Sequence, residues 1–130
     1  MKFAVYGAGA IGGYLGAKLA LSGEDVHLIA RGPHLAAIKS NGIHIYGENE
    51  KILANPNASD NPSEIGPVDF LFLTVKAHGL TDIAPQIHPL LHDETTIISA
   101  QNGIPWWYFQ KHGGPWDGSA LESVDPDGVL

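Results

Sequence analysis

The sequence predicts an α/β protein built on a doubly wound, mostly parallel sheet, and three observations carry that prediction. An apolar strand, Lys2 to Tyr6, runs straight into the glycine turn Gly7-Ala8-Gly9-Ala10-Ile11-Gly12. A helix rich in small residues and a second short apolar strand follow, completing a strand–helix–strand unit of about the expected ~30 residues. Further along, Val68 to Val75 is a nearly continuous apolar run, the composition of a central parallel strand covered on both faces.

The turn is the most specific of these signals, because a G-x-G-x-x-G between a strand and a helix is the mark of a dinucleotide pyrophosphate site. Gly7 permits the tight turn, Gly9 lets the backbone approach the pyrophosphate with no side chain in the way, and Gly12 allows the helix to pack close to the sheet. With Ala8, Ala10 and Ile11 between them, these residues form the candidate cofactor-binding turn. The helix that follows presents free N–H groups and partial positive charge to the phosphates.

In that helix, Ala10 to Leu21, Ile11, Leu15 and Leu19 recur at i, i+4 and i+8, while Gly12, Gly13 and Gly16 form a small-residue face suited to lying flat on a sheet. Ser22-Gly23 ends it, and Asp25 to Ala30 is the second strand. His34 to Asn41 reads as a short helix with Leu35 and Ile38 inward. Ile43 to Tyr46 alternates like a strand, Gly47-Glu48-Asn49-Glu50 is a turn, and Lys51 to Ala54 is its hairpin partner. Asn55 to Pro67, broken by Pro56, Pro62 and Pro67, reads mostly as loop. A helix from Leu80 to Leu91 and a strand from Thr95 to Ser99 follow. From Ile104 to Leu130 the chain is rich in Gly, Pro and aromatic residues and ends without a capped element. A Rossmann-type sheet of six strands needs at least one more than this count provides, so the chain reads as truncated before its last strand or strands.

Ala30 and Arg31 decide the choice of dinucleotide. An NAD site places Asp or Glu at the end of the second strand to hold the ribose hydroxyls, whereas here that position is Ala30, followed by Arg31. A guanidinium grips a 2′-phosphate bidentately and stacks on adenine, which favours NADP. The competing reading, an exposed loop arginine, is weakened by the scarcity of cations: Lys and Arg together number 7.

At 130 residues the chain has room for one domain and one core. A formal charge of −7 argues against nucleic-acid binding, since a polyanion needs a basic face. It also means that the helix N-terminus, Arg31 and Lys76 must make a local positive island for any bound phosphate. No apolar run approaches the ~20 residues of a membrane span, so no membrane partner is expected. The absence of cysteine excludes disulfides and thiolate metal sites, and with no leader preceding the first strand a cytoplasmic location is expected.

With Val75-Lys76-Ala77 after the central strand and Gln101-Asn102-Gly103 after the next, added to the glycine turn and Arg31, the sequence resembles the ketopantoate reductase (2-dehydropantoate 2-reductase) family from Met1 to about Leu130. The resemblance implies an NADP-binding domain over residues 1–130 in which Gly7 to Gly12 hold the pyrophosphate, Arg31 the 2′-phosphate, Lys76 the cofactor, and Asn102 the nicotinamide ribose and the substrate side. It implies reduction of a small 2-keto acid by NADPH, in pantothenate biosynthesis. It also implies a C-terminal helical domain supplying a lysine general acid and an acidic substrate-orienting residue, and neither has a counterpart here. No catalytic residue is therefore expected within the chain. On their own residue chemistry, Lys76 emerges at a strand end with its ammonium free for phosphate or carboxylate, and an Asn-Gly pair such as Asn102-Gly103 is more often a turn than a site.

Other constellations carry less. His88 and His92 have the i, i+4 spacing of two metal ligands on one helix, but no acidic third ligand stands at a recognisable spacing and Pro89 disturbs the turn, so no metal is expected. His78, near Lys76, reads as neutral packing in preference to an acid or base. The run Trp106-Trp107-Tyr108-Phe109, with Trp116, is read as part core and part apolar surface at an interface, which leaves a homo-oligomer open.

Overall fold

A computed structural model of the chain describes residues 1–48 and 51–130. Its elements are β1 (Lys2–Tyr6), α1 (Ala10–Leu21), β2 (Asp25–Ile29), α2 (Gly32–Asn41), β3 (Ile43–Tyr46), β4 (Lys51–Ala54), β5 (Asn57–Ser59), α3 (Pro62–Ile65), β6 (Phe70–Leu73), α4 (Leu80–Ile83) and β7 (Thr96–Ser99). Five strands form one sheet in the order β5-β2-β1-β6-β7, with every neighbouring pair parallel. This is the doubly wound, Rossmann-like arrangement, in which strand order reverses about β1. β3 and β4 pair antiparallel as a separate hairpin, Ile43 opposite Ala54. Of the turn expected between them, Asn49 and Glu50 lie outside the described residues.

Alternation along β1 divides the core between the two faces of the sheet. Phe3 and Val5 point to one side with Val26, Leu28, Leu35 and Ile38, beneath α1 and α2. Ala4 and Tyr6 point to the other with Leu71, Leu73, Leu80, Ile83 and Leu90. The small-residue face of α1 is the one that meets the sheet: Gly12, Gly13, Gly16 and Ala17 are buried, whereas Ile11 is 65% exposed. A Cβ on Gly16 would collide with Leu28 Cδ2, so the helix backbone lies directly on β2.

The structure departs from the sequence reading in two places. The stretch expected to be mostly loop contains β5, which forms the edge of the sheet beside β2, and the single-turn α3, capped by the Asn61 side chain accepting from the Ser63 N–H at 3.1 Å. The expected helix from Leu80 to Leu91 is broken into α4 and two 3-10 turns, Ala84–Gln86 and His88–Leu90. Pro85 and Pro89 each remove a backbone donor and clash with the preceding turn. His88 and His92 are consequently not two ligands on one helix face. In the tail, the described structure is turns and one 3-10 segment, Pro126–Gly128, with Trp106 and Leu130 packed against the core on the Tyr6 side of the sheet.

Candidate functional site

In a doubly wound sheet the ligand crevice opens at the carboxyl ends of the strands, where the order reverses. Here β1 delivers Gly7, β2 delivers Arg31, β6 delivers Thr74, Val75 and Lys76, and β7 delivers Gln101 and Asn102, all to one end of the sheet.

The glycine turn is shaped by close contacts. Gly7 has φ +108°, and a Cβ there would stand 2.9 Å from the Val75 backbone nitrogen, so the left-handed backbone and the neighbouring strand both require glycine. A Cβ on Gly9 would meet nothing within 4 Å, because this residue faces open space. Gly12 is buried beneath the turn, where a Cβ would collide with the Gly7 carbonyl oxygen and Thr74 Oγ1. Among the described residues, no acceptor engages the N–H groups of Ala8, Gly9, Ala10 or Ile11. Such a row of N–H donors at the head of a 12-residue helix, with open space before it, suits the phosphates of a dinucleotide.

A cleft of about 820 Å³ collects most of the residues singled out in the sequence. Gly7, Gly9, Ala10 and Ile11 form one wall; Arg31, Lys76 and Asn102 reach it from three other strand ends. Gly12 lies under this wall and does not line it, while Ala8 faces an adjoining hollow of about 370 Å³ that also contains Tyr6, Arg31, Asp60 and Gln86. Arg31 is exposed at the N-terminus of α2, next to the buried Ala30, and Asn102 precedes Gly103, whose φ of +105° makes the pair a turn as well as a wall of the cleft. His78 is exposed on the cleft and not packed, contrary to the packing role expected for it.

Several residues at this end of the sheet were missed. Thr74 Oγ1 lies 2.6 Å from the Gly7 carbonyl oxygen and 3.1 Å from that of Tyr6. His34 Nε2 donates to the Ala8 carbonyl oxygen at 2.6 Å. The Gln101 side chain donates to the Val75 carbonyl at 2.7 Å, tying the ends of β6 and β7 together. A polar residue at a strand's carboxyl end was the available signal for Thr74 and Gln101; His34 had none, because its partner is a backbone atom 26 positions away. Asp82 also lines the cleft, so the positive island of Arg31 and Lys76 includes an acid. Burial holds the Tyr6 phenol above its ordinary range, and the nearby Arg31 charge partly opposes that shift. No group of three or more His, Cys, Asp or Glu side chains gathers as a metal site among the described residues.

Fold and cleft together define the class, a Rossmann-like α/β domain with its ligand crevice at the carboxyl ends of the parallel strands. The family follows from comparison with known proteins. Residues 3–105 match the family model described as ketopantoate reductase PanE/ApbA, and the chain belongs to that family. It is 47% identical to a 2-dehydropantoate 2-reductase of Mesorhizobium japonicum over all of this chain and 40% of the relative. A crystal structure from Ralstonia solanacearum, assigned as a ketopantoate reductase, superposes with a TM-score of 0.91 at 38% identity, over 98% of this chain and 40% of that one. D-mandelate dehydrogenase in a ternary structure with NADH and anilino(oxo)acetate superposes at 0.73 and 31% identity, over 81% of this chain and 35% of that one. The chain thus spans about 40% of the length of the first two. No helix is long and apolar enough to cross a membrane among the described residues.

Proposed function

We propose that residues 1–130 are the NADP-binding domain of an oxidoreductase that reduces 2-dehydropantoate, a small 2-keto acid, to the 2-hydroxy acid pantoate in pantothenate biosynthesis. The observation that supports this reading most directly is the convergence of Arg31, Lys76 and Asn102 on the cleft walled by the glycine turn. When bound, NADPH supplies the hydride that adds to the carbonyl carbon. The turn from Gly7 to Gly12 binds the diphosphate through backbone N–H groups, and Arg31 pairs with the 2′-phosphate. The Lys76 ammonium offsets phosphate or carboxylate charge, and Asn102 orients the nicotinamide ribose and the substrate beside it. Proton delivery to the developing alkoxide falls to a lysine in the region of the longer relatives that this chain does not span, as does the acidic residue that orients the substrate.

The experiment is a titration of the chain with NADPH, followed by NADPH absorbance with excess ketopantoate. Binding with negligible turnover by residues 1–130 alone is expected, because this reading places the general acid and the closing half of a water-excluding cleft outside them. Absence of binding would overturn the reading. Turnover comparable to a longer chain would put the catalytic groups within these residues, with His78 the first to test.

A second reading, a reductase of a different 2-keto acid, is favoured by the likeness to D-mandelate dehydrogenase, whose structure holds anilino(oxo)acetate. Reduction of an aryl 2-keto acid in preference to ketopantoate by the longer protein would select it.

A further inference from the structure

The glycine turn is held from outside by two side chains on different elements. Thr74, just past β6, has its hydroxyl 2.6 Å from the Gly7 carbonyl oxygen. His34, in the first turn of α2, places Nε2 2.6 Å from the Ala8 carbonyl oxygen. A carbonyl only accepts, so Nε2 carries the proton in this contact. The two acceptors belong to successive peptide groups, Gly7–Ala8 and Ala8–Gly9.

A trans peptide points its C=O and its N–H in opposite directions. Fixing the Gly7 carbonyl therefore fixes the Ala8 N–H on the opposite side, and fixing the Ala8 carbonyl does the same for the Gly9 N–H. Neither N–H has an acceptor among the described residues, so both are available to a ligand. A glycine-rich turn left to itself is free to rotate these peptide planes, and each rotation would present a carbonyl oxygen to an anion. The Thr74 contact also gives Gly12 a specific reason to be glycine: a Cβ there would strike both partners, the Gly7 oxygen and Thr74 Oγ1.

We propose that Thr74 and His34 are positioning residues that clamp the Gly7–Ala8 and Ala8–Gly9 peptide groups and so aim the Ala8 and Gly9 N–H groups at the diphosphate of a bound dinucleotide. The inference rests on the reading of the cleft as a dinucleotide site. It assigns His34 no contact with the ligand and Thr74 no part in the chemistry. Both act through the turn.

The test compares Thr74→Val and His34→Leu, which remove the donors, with Thr74→Ser and His34→Gln, which keep one. Four probes are titrated: NADPH, NADH, ADP and adenosine 2′-monophosphate. Each donor-less variant should bind NADPH, NADH and ADP about tenfold more weakly, equally for the two dinucleotides, because they share the diphosphate. Binding of adenosine 2′-monophosphate, which has no diphosphate, should be unchanged, and the donor-keeping variants should recover most of the loss. Equal losses for ADP and adenosine 2′-monophosphate would reveal general disruption and overturn the clamp, as would unchanged ADP binding. A wild-type chain that binds neither dinucleotide would instead overturn the cleft reading beneath it. His34 is exposed and outside the core, so His34→Leu decides the matter if Thr74→Val fails to fold.

Discussion

The Tyr6 hydroxyl donates to Gln86 Oε1 at 3.0 Å, linking the last residue of β1 to the 3-10 turn after α4, while the Gln86 amide donates onward to the Asp82 carbonyl at 2.8 Å. The phenol must be protonated to donate, and burial favours that form by raising its pKa above the ordinary 10.0. As pH rises past 10, the unfolded chain loses this proton first, so the folded state holds more protons and stability falls with pH. The contribution is present below pH 10 and is lost as pH rises through the folded-state value. Tyr6→Phe should remove this alkaline dependence and cost about 1 kcal/mol at neutral pH, measured by denaturant unfolding across the range.

Arg31→Ala tests the cofactor preference. Losing a charge-assisted pair should weaken NADPH binding several-fold to a hundredfold, on the order of 1–3 kcal/mol, with little change for NADH. Calorimetric titration of both cofactors measures it, and equal losses would show that Arg31 is not the discriminator.

Gly9→Val should abolish dinucleotide binding while leaving the fold intact. Gly9 has φ −70° and ψ −162°, extended backbone that valine adopts, and a Cβ there meets no protein atom within 4 Å. The new side chain would occupy ligand space only. Gly7→Ala makes the contrast: at φ +108° and against β6 it should destabilise the fold by about 1–3 kcal/mol. Circular dichroism melts and cofactor fluorescence, run on both variants, separate the two effects.

Gly16→Ala should lift α1 from the sheet, because its methyl group would collide with Leu28. Overpacking of this kind costs about 1–3 kcal/mol. Leu28→Ala opens a cavity in the same place, so the double variant should lose less than the sum of the single losses. Chemical denaturation of the three variants measures the coupling; strict additivity would mean that the helix accommodates the added methyl group without pressing on Leu28.

Local chemistry made the β1–α1–β2 unit, the β3–β4 hairpin and the cleft-lining residues Arg31, Lys76 and Asn102 legible in the sequence. In each, a short-range pattern coincides with what the tertiary structure needs: an apolar strand, a glycine turn, an alternating pair of strands, or a polar residue just past a strand end. β5 was not legible because Asn57-Ala58-Ser59 has no apolar alternation. It is a strand because the edge of β2 offers unpaired backbone groups, and pairing there is indifferent to side chains. The breaks at Pro85 and Pro89 were written in the sequence, and the helix expected over 80–91 ran through them; successive short turns still bury Leu80, Ile83 and Leu90 and half-bury Ile87, much as a helix would.

What only the tertiary structure decided is which groups meet. Sequence spacing says nothing of a hydroxyl at position 74 reaching a carbonyl at position 7, or of an imidazole at 34 reaching one at 8. Parallel strands joined through helices bring together residues dozens of positions apart, so the residue types at the glycine turn were determined by the sequence alone, while the side chains that hold its peptide groups were determined by the order of strands in the sheet.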